Sequence, residues 1–377
     1  MFKKSLSLLS LLFSIYCFAS SEIPVVYLTP PKIGPEFIAE DILCKRPMRN
    51  GCFKVAAEIQ HEKLIVHNYG AGGSGWSLLF GLVRSSIEQF EKMVNQNPQF
   101  ANQPVRIVGA GCMGLLTAVL LKLKGYDVEI TAKDLTRLAS HNAVGILGPI
   151  AHNINPEEEE FFNAVSVNAY KEWAMIAKGE HPLFNDCGVH MPIFVGKTTD
   201  AGLEHYVQKG LIDQPQEVIV DFGNGKRYNM LKYITLFIDT KKMMGKLHTL
   251  IDKLEIKVTQ AVVESFKEIK EAVVFNCSGL GARELAEDRD VVPVVGHLLM
   301  LKNQPPMKEL QYIIDTTVHS MNDLGQEIEE YIYYAPKGQG ILGGTFIKGT
   351  EATRNLNHHF SRLTERSMNY FGTPTDE

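Results

Sequence analysis

The stretch from residue 105 to residue 132 most constrains what this chain can fold into. An apolar run, Val105 to Val108, meets Gly109-Ala110-Gly111-Cys112-Met113-Gly114. A helix-forming run, Leu115 to Lys124, and a second strand-like run, Asp127 to Ala132, follow. Strand, tight turn, helix and strand make a βαβ unit whose two strands lie parallel. The three glycines have separate duties. The first permits the turn, the second lets a pyrophosphate touch the backbone, and the third lets helix and strand pack closely. The helix N-terminus then faces the phosphates with its partial positive charge. The pattern places Gly109, Gly111, Cys112, Met113 and Gly114 at a dinucleotide; the bland alternative is a tight turn in an unrelated α/β domain. An acid ordinarily ends the second strand and holds the adenosine ribose. Here that stretch is Thr131-Ala132-Lys133-Asp134, so Asp134 is the nearest acid, one or two places late, and Lys133 would suit an extra phosphate.

A second glycine loop precedes this unit. His67-Asn68-Tyr69-Gly70-Ala71-Gly72-Gly73-Ser74-Gly75-Trp76 leads into a helix with Leu79, Val83, Ile87, Phe90 and Val94 on one face. Val25 to Thr29, Phe53 to Ala57 and Leu64 to Val66 read as strands, and Asn95 to Pro104 as a linker. Asn155-Pro156-Glu157-Glu158-Glu159-Glu160 resembles an acidic site but reads better as a helix start. Asparagine caps, proline takes the first position and the glutamates favour the dipole. Ala272 to Asn276 is a buried strand ending in Cys277-Ser278-Gly279. Tyr331 to Tyr334 is an aromatic strand, followed by a turn at Pro336 to Gly340 and by Leu342-Gly343-Gly344-Thr345-Phe346. Phe360, Leu363, Ser367 and Phe371 mark a last helix, stopped by Gly372 and Pro374.

A net charge of −5 with no dominant basic run argues against nucleic acid as a partner. Met1 to Lys4 is a short basic start, Ser5 to Phe18 is apolar, and small residues follow, with cleavage simplest after Ala19. About fourteen apolar residues are short for a membrane span, which needs roughly 20; the bland alternative is an uncleaved anchor helix. The expectation is a signal peptide, export, and no stable span after cleavage. Cys44 and Cys52 are close enough to pair but equally fit two core thiols. No cysteine spacing resembles a zinc site, so no metal is expected.

Taken together, these pieces resemble the D-amino-acid oxidase family of flavoenzymes. The matching motifs are Val-Gly-Ala-Gly-Cys-Met-Gly at 108–114, Val-Gly-Ile-Leu-Gly-Pro at 144–149, Phe-Asn-Cys-Ser-Gly-Leu-Gly-Ala at 275–282 and Leu-Gly-Gly-Thr-Phe at 342–346. Lys-Arg-Pro-Met-Arg at 45–49 and the His-Asn-Tyr-Gly loop at 67–75 complete them. In that family the last two motifs come after the nucleotide turn. Here they precede it, so the order looks circularly permuted, which nearby surface termini permit.

The resemblance implies FAD as cofactor and oxidative deamination of a D-amino acid by hydride transfer to the flavin. Imino or keto acid, ammonia and hydrogen peroxide are the products; an amino acid and molecular oxygen are the partners. The protein then works by positioning more than by acid–base chemistry. By resemblance Arg46 clamps the substrate carboxylate, Arg49 is structural, Tyr333 stands in the active site and Tyr331 is a second wall. Gly72, Gly73 and Trp76 begin the helix that faces the flavin ring, and Gly73 also adjoins substrate. Ser140, His141, Asn142, Gly145, Ile146 and Leu147 lie beside the flavin, and Ser278 and Gly279 lie against the dinucleotide. The expected architecture is α/β: a Rossmann-like FAD-binding domain interleaved with an α+β substrate domain of mixed or antiparallel sheet. The expected division is signal peptide (1–20), start of the substrate part (21–63), FAD-binding core (64–150), substrate or cap domain (151–255), return to the FAD domain (256–300), then substrate strands and the last helix (301–377). A glycine or sarcosine oxidase, a nicotinamide-dependent dehydrogenase and a non-catalytic exported nucleotide-binding protein remain alternatives; the oligomeric state is not legible.

Overall fold

The βαβ unit folds as its sequence dictates. Val105–Val108 and Val128–Ala132 pair in parallel, with the helix Cys112–Leu123 between them. The helix begins at Cys112, three residues earlier than its apolar run, because Gly111 takes the cap position in extended backbone. The computed structural model describes residues 22–150, 154–321, 326–349 and 356–372. The proposed signal peptide and Pro374 lie outside the described residues.

Two sheets organise the fold. A six-stranded sheet runs in the order Lys257–Gln260, Val128–Ala132, Val105–Val108, Val273–Asn276, Lys63–Tyr69 and Lys54–Gln60. Neighbours are parallel except at the last strand, which forms an antiparallel hairpin with Lys63–Tyr69. This is the Rossmann-like half. Its segments come from both sides of the nucleotide turn, and it takes in Lys54–Gln60, upstream of the boundary expected at residue 63. A larger mixed sheet holds Ile38–Arg49, Gly188–Gly196, Arg227–Ile238, Val291–Leu301, Ile313–Met321 and Glu327–Ala335 among its strands. Val291–Leu301 pairs within this larger sheet, whereas the expected division grouped it with residues 256–300.

Strand alternation decides which side chains can meet a ligand. On Glu327–Ala335, Ile332 and Tyr334 enter the core beneath the last helix, Leu356–Phe371. Tyr331 and Tyr333 point the other way, toward the junction of the two sheets. Asp315 shares that face, because it stands directly across from Tyr333.

The helix Leu79–Gln96 buries Leu79, Val83, Ile87 and Phe90 and packs against the helix Pro156–Lys178. Each such side chain stabilises the fold by about 1.5–3 kcal/mol. The expected linker at 95–104 is partly helical: Pro98–Phe100 forms a 3-10 turn that seats Phe100 in the core. Asn155 caps Pro156–Lys178, with proline first and glutamates in the first turn, so the acidic run is a helix start. Cys44 and Cys52 are both free and buried, so they are core thiols and not a disulfide. Among the described residues no helix is long and apolar enough to cross a membrane, and no His/Cys/Asp/Glu group could hold a metal.

Candidate active site

A cleft runs between the two sheets. It is lined by the turn Gly111–Met113, the loop 70–77, the loop 139–150, Cys44, Arg46 and Pro47, and Asp315, Tyr331, Tyr333, Thr345 and Phe346.

At the glycine turn two of the glycines are required by close backbone approach, and the third faces open space. Gly109 has φ +115°, and a Cβ there would stand 2.3 Å from the Cys277 carbonyl oxygen. A Cβ on Gly114 would stand 2.0 Å from the Gly109 carbonyl oxygen, so this glycine is what brings helix and strand together. At Gly111 a Cβ would meet nothing closer than the Ser140 hydroxyl at 3.3 Å, so this backbone faces open space. The Cys112 amide donates to the Ser140 hydroxyl at 3.0 Å, and the helix N-terminus faces the cleft. An anion-shaped cradle is therefore present, and a dinucleotide's pyrophosphate fits it.

The middle of the cleft is held by loop-to-loop hydrogen bonds. Trp76 Nε1 donates to the Ser140 carbonyl at 3.1 Å. Ser77 and Gly148 exchange two bonds, and Ser74 donates to the Ile150 carbonyl at 2.7 Å. Gly145, at φ +101°, lets its segment lie against Ile238, where a Cβ would be 2.0 Å from the carbonyl oxygen. Gly72 and Gly73 sit in a 3-10 turn, and the long helix itself starts only at Leu79. The half-buried ammonium of Lys337 donates to the carbonyls of His141 and Ala143 and to the Thr240 hydroxyl. Burial pulls its pKa down to about 8.

At the far end stands Arg46. Its guanidinium donates to the Thr345 carbonyl at 3.3 Å, lies 5.6 Å from the Phe346 ring centre, and acts electrostatically on the buried Tyr333 hydroxyl. No carboxylate pairs with it among the described residues. By contrast Arg49 is consumed by Asp288 at 2.9 Å and by the Cys52 carbonyl, and is structural as expected. The Leu-Gly-Gly-Thr-Phe motif now has a reason. A Cβ on Gly343 would stand 2.0 Å from the Tyr333 ring, and one on Gly344 1.8 Å from the Tyr331 carbonyl oxygen. The two glycines make room for both tyrosines, whose rings meet edge-on at 5.8 Å. Burial raises the pKa of Asp315 to about 7, with the nearby Tyr331 pulling the other way.

Of the residues expected at the cofactor, Gly72, Gly73, Trp76, Gly111, Cys112, Met113, Ser140, Asn142, Gly145 and Ile146 line the cleft together. Gly109, Gly114 and Leu147 stand behind it as support. The His141 ring turns away to accept from the Leu138 amide and stack near His248. Ser278 turns back to donate to Asn276 at 2.6 Å, leaving Gly279 at the cleft. Asp134 and Lys133 are exposed beyond the strand end and do not line it. Sequence reasoning missed Asp315, Lys337, Gly296 and Thr345. Only Thr345 carried a signal, lying inside a recognised motif.

No protein-family model matches this chain. Among curated proteins it is similar to a D-amino-acid oxidase of Dictyostelium discoideum, 26% identical over 256 residues that cover 63% of this chain and 64% of that one. It is also similar to the bifunctional protein ThiO/ThiG of Trichormus variabilis, 33% identical over 94 residues, 24% of this chain and 14% of that one. The chain thus spans less than two thirds of the length of either relative. A solved glycine oxidase from Bacillus cereus aligns at 15% identity and a TM-score of 0.46, covering 71% of this chain and 77% of that one.

Proposed function

We propose, from this likeness to D-amino-acid oxidases, that the chain is an FAD-dependent oxidase that deaminates a D-amino acid. The single observation carrying the reading is that one cleft joins the Gly111 cradle to an arginine without an acidic partner among the described residues. An anion site and a carboxylate site then share one space. The chain spacing of the motifs supports a permuted order: Arg46 and the 70–77 loop reach the cleft although they precede the nucleotide turn.

Bound FAD supplies an acceptor for a hydride and, in its reduced form, a donor to oxygen. The chain's own residues position the substrate. Arg46 holds the α-carboxylate through forked charge-assisted bonds, oriented by Tyr333 and Thr345. Tyr331, Tyr333 and Phe346 keep water from the α-carbon. With such an acceptor in place, the hydrogen on Cα would leave with its electron pair as the amine lone pair forms C=N and an N–H proton passes to solvent; the chain's part is to hold the α-carbon in place through Arg46, Tyr331, Tyr333 and Phe346. No lysine or histidine side chain lines the cleft among the described residues, which suits a step that takes no proton from carbon.

Purified protein should be yellow with a flavin spectrum, and should release peroxide on a panel of D- and L-amino acids, glycine and sarcosine. Colourless protein that takes up no added FAD would refute the reading. Turnover of glycine or sarcosine alone would move it to that class.

A further inference from the structure

The cleft contains a buried carboxyl that the reading above leaves without a task. Asp315 is 3% exposed and lines the cleft on the strand Ile313–Met321. Tyr331, on the neighbouring strand, favours its ionised form. Its Oδ1 is buried with no hydrogen-bond partner. No cation acts on it among the described residues; the other charge it feels is that of Asp200, also acidic. Arg46 is on the same cleft but reaches Tyr333 and Thr345 instead. A half-satisfied carboxyl in a dry wall is costly, and it persists where a ligand completes it.

We propose that Asp315 is a specificity residue that receives a cationic group on the substrate side chain, so that the preferred substrates are amino acids with a basic side chain. The proposal rests on the amino-acid oxidase reading. The alternative recipient, the α-amine, fits the chemistry less well. Oxidation needs the amine lone pair, and a carboxylate facing an α-ammonium would hold the proton on nitrogen. A side-chain ammonium or guanidinium carries no such penalty. Ile150, Ala201 and Phe346 line the same space and offer apolar contact to the methylenes of such a side chain. With Arg46 on the α-carboxylate and Asp315 on the distal cation, a neutral side chain leaves the carboxyl unpaired, which is the larger source of discrimination.

The test has two arms. The first compares kcat/KM for D-lysine, D-ornithine and D-arginine against D-norleucine and D-methionine, in the native protein and in Asp315→Asn. The native protein should prefer the basic substrates by at least about tenfold. Asp315→Asn should lose that preference, chiefly through a raised KM for the basic substrates. Equal loss on basic and neutral substrates assigns Asp315 to the α-amine and overturns the proposal, as does native preference for neutral or acidic side chains. The second arm needs no turnover: calorimetry of 6-aminohexanoate against hexanoate on the FAD-loaded protein. The amine should tighten binding at least about tenfold in the native protein and not in Asp315→Asn. Equal affinities in the native protein overturn the proposal whether or not the variant folds. FAD-loaded protein that oxidises no amino acid sinks the oxidase reading instead, and calorimetry then still decides the cation site.

Discussion

The Arg46 guanidinium packs over Gly296: a Cβ there would stand 2.4 Å from Nη1 and 2.6 Å from Nη2. Gly296 lies in the strand Val291–Leu301 and is directly paired with Cys44, two residues from the arginine. The missing side chain therefore leaves the space that the guanidinium occupies. Gly296→Ala should displace the guanidinium from Thr345 and raise KM about tenfold, with FAD retained. Arg46→Ala should raise it further, because hydrogen bonds to charged groups contribute about 1.5–3 kcal/mol each. Steady-state kinetics with flavin content measured alongside makes the check; an unchanged KM in Arg46→Ala rules out the clamp.

The three turn glycines should separate folding from cofactor binding. Gly114→Ala forces a Cβ to 2.0 Å from backbone, where no side chain can yield. It should lower the melting temperature and the yield of folded protein. Gly111→Val meets mainly the Ser140 hydroxyl and open space. It should keep the circular dichroism spectrum and melting temperature of apoprotein while losing FAD affinity by at least about a hundredfold, since a side chain now stands where the pyrophosphate must lie. If Gly111→Val binds FAD normally, the pyrophosphate does not sit at this turn.

These contrasts show what the chain order can and cannot carry. The βαβ unit was legible because its signals are local: glycines at fixed spacing between a strand pattern and a helix pattern. Arg46 was legible because a contiguous motif surrounds it. Asp315 was not, because Ile313-Ile314-Asp315-Thr316 reads as a strand with one stray acid, and its meaning depends on Tyr331 across a hairpin. Gly296 reads as a weak point in an apolar strand until Arg46 is seen above it. The same locality limits the reading of the connection at 95–104: Pro98 and polar neighbours mark a loop, as found, and only tertiary packing shows that Phe100 within it is buried.

Lys337 should prove to be a positioning residue for the flavin loop. Its ammonium ties two carbonyls of the 139–143 segment to Thr240, at the start of the helix Thr240–Lys253. Lys337→Met fills a similar volume but leaves those acceptors unpaired, at about 1–3 kcal/mol. The expected result is a lower melting temperature and weaker FAD affinity, with KM in the fully loaded enzyme changed little. Lys337→Arg, which still donates, should recover part of both losses. A KM effect without a change in FAD affinity would place Lys337 at the substrate instead.

Asp315 should leave a pH signature of two opposite signs. Burial, with the repulsion of Asp200 behind it, raises its pKa from 3.8 to about 7, and the nearby Tyr331 only partly offsets this. Tyr333 opposite stays neutral in this range because burial raises its pKa, the neighbouring Arg46 guanidinium only partly offsetting this. Between about pH 4 and 7 the native carboxyl thus keeps a proton that the unfolded chain has lost. More protons on the native state mean that this group's contribution to stability falls as pH rises. Asp315→Asn removes the effect, so its melting temperature should match the native protein's near pH 4 and exceed it by pH 8. Binding of a cation works the other way, because it requires the ionised carboxylate. Affinity for 6-aminohexanoate should therefore rise up to about tenfold per pH unit toward pH 7 and level off above it, while hexanoate shows no such step. A variant whose melting difference is the same at pH 4 and pH 8 would mean that Asp315 is ionised throughout, and would place a cation beside it in the free protein.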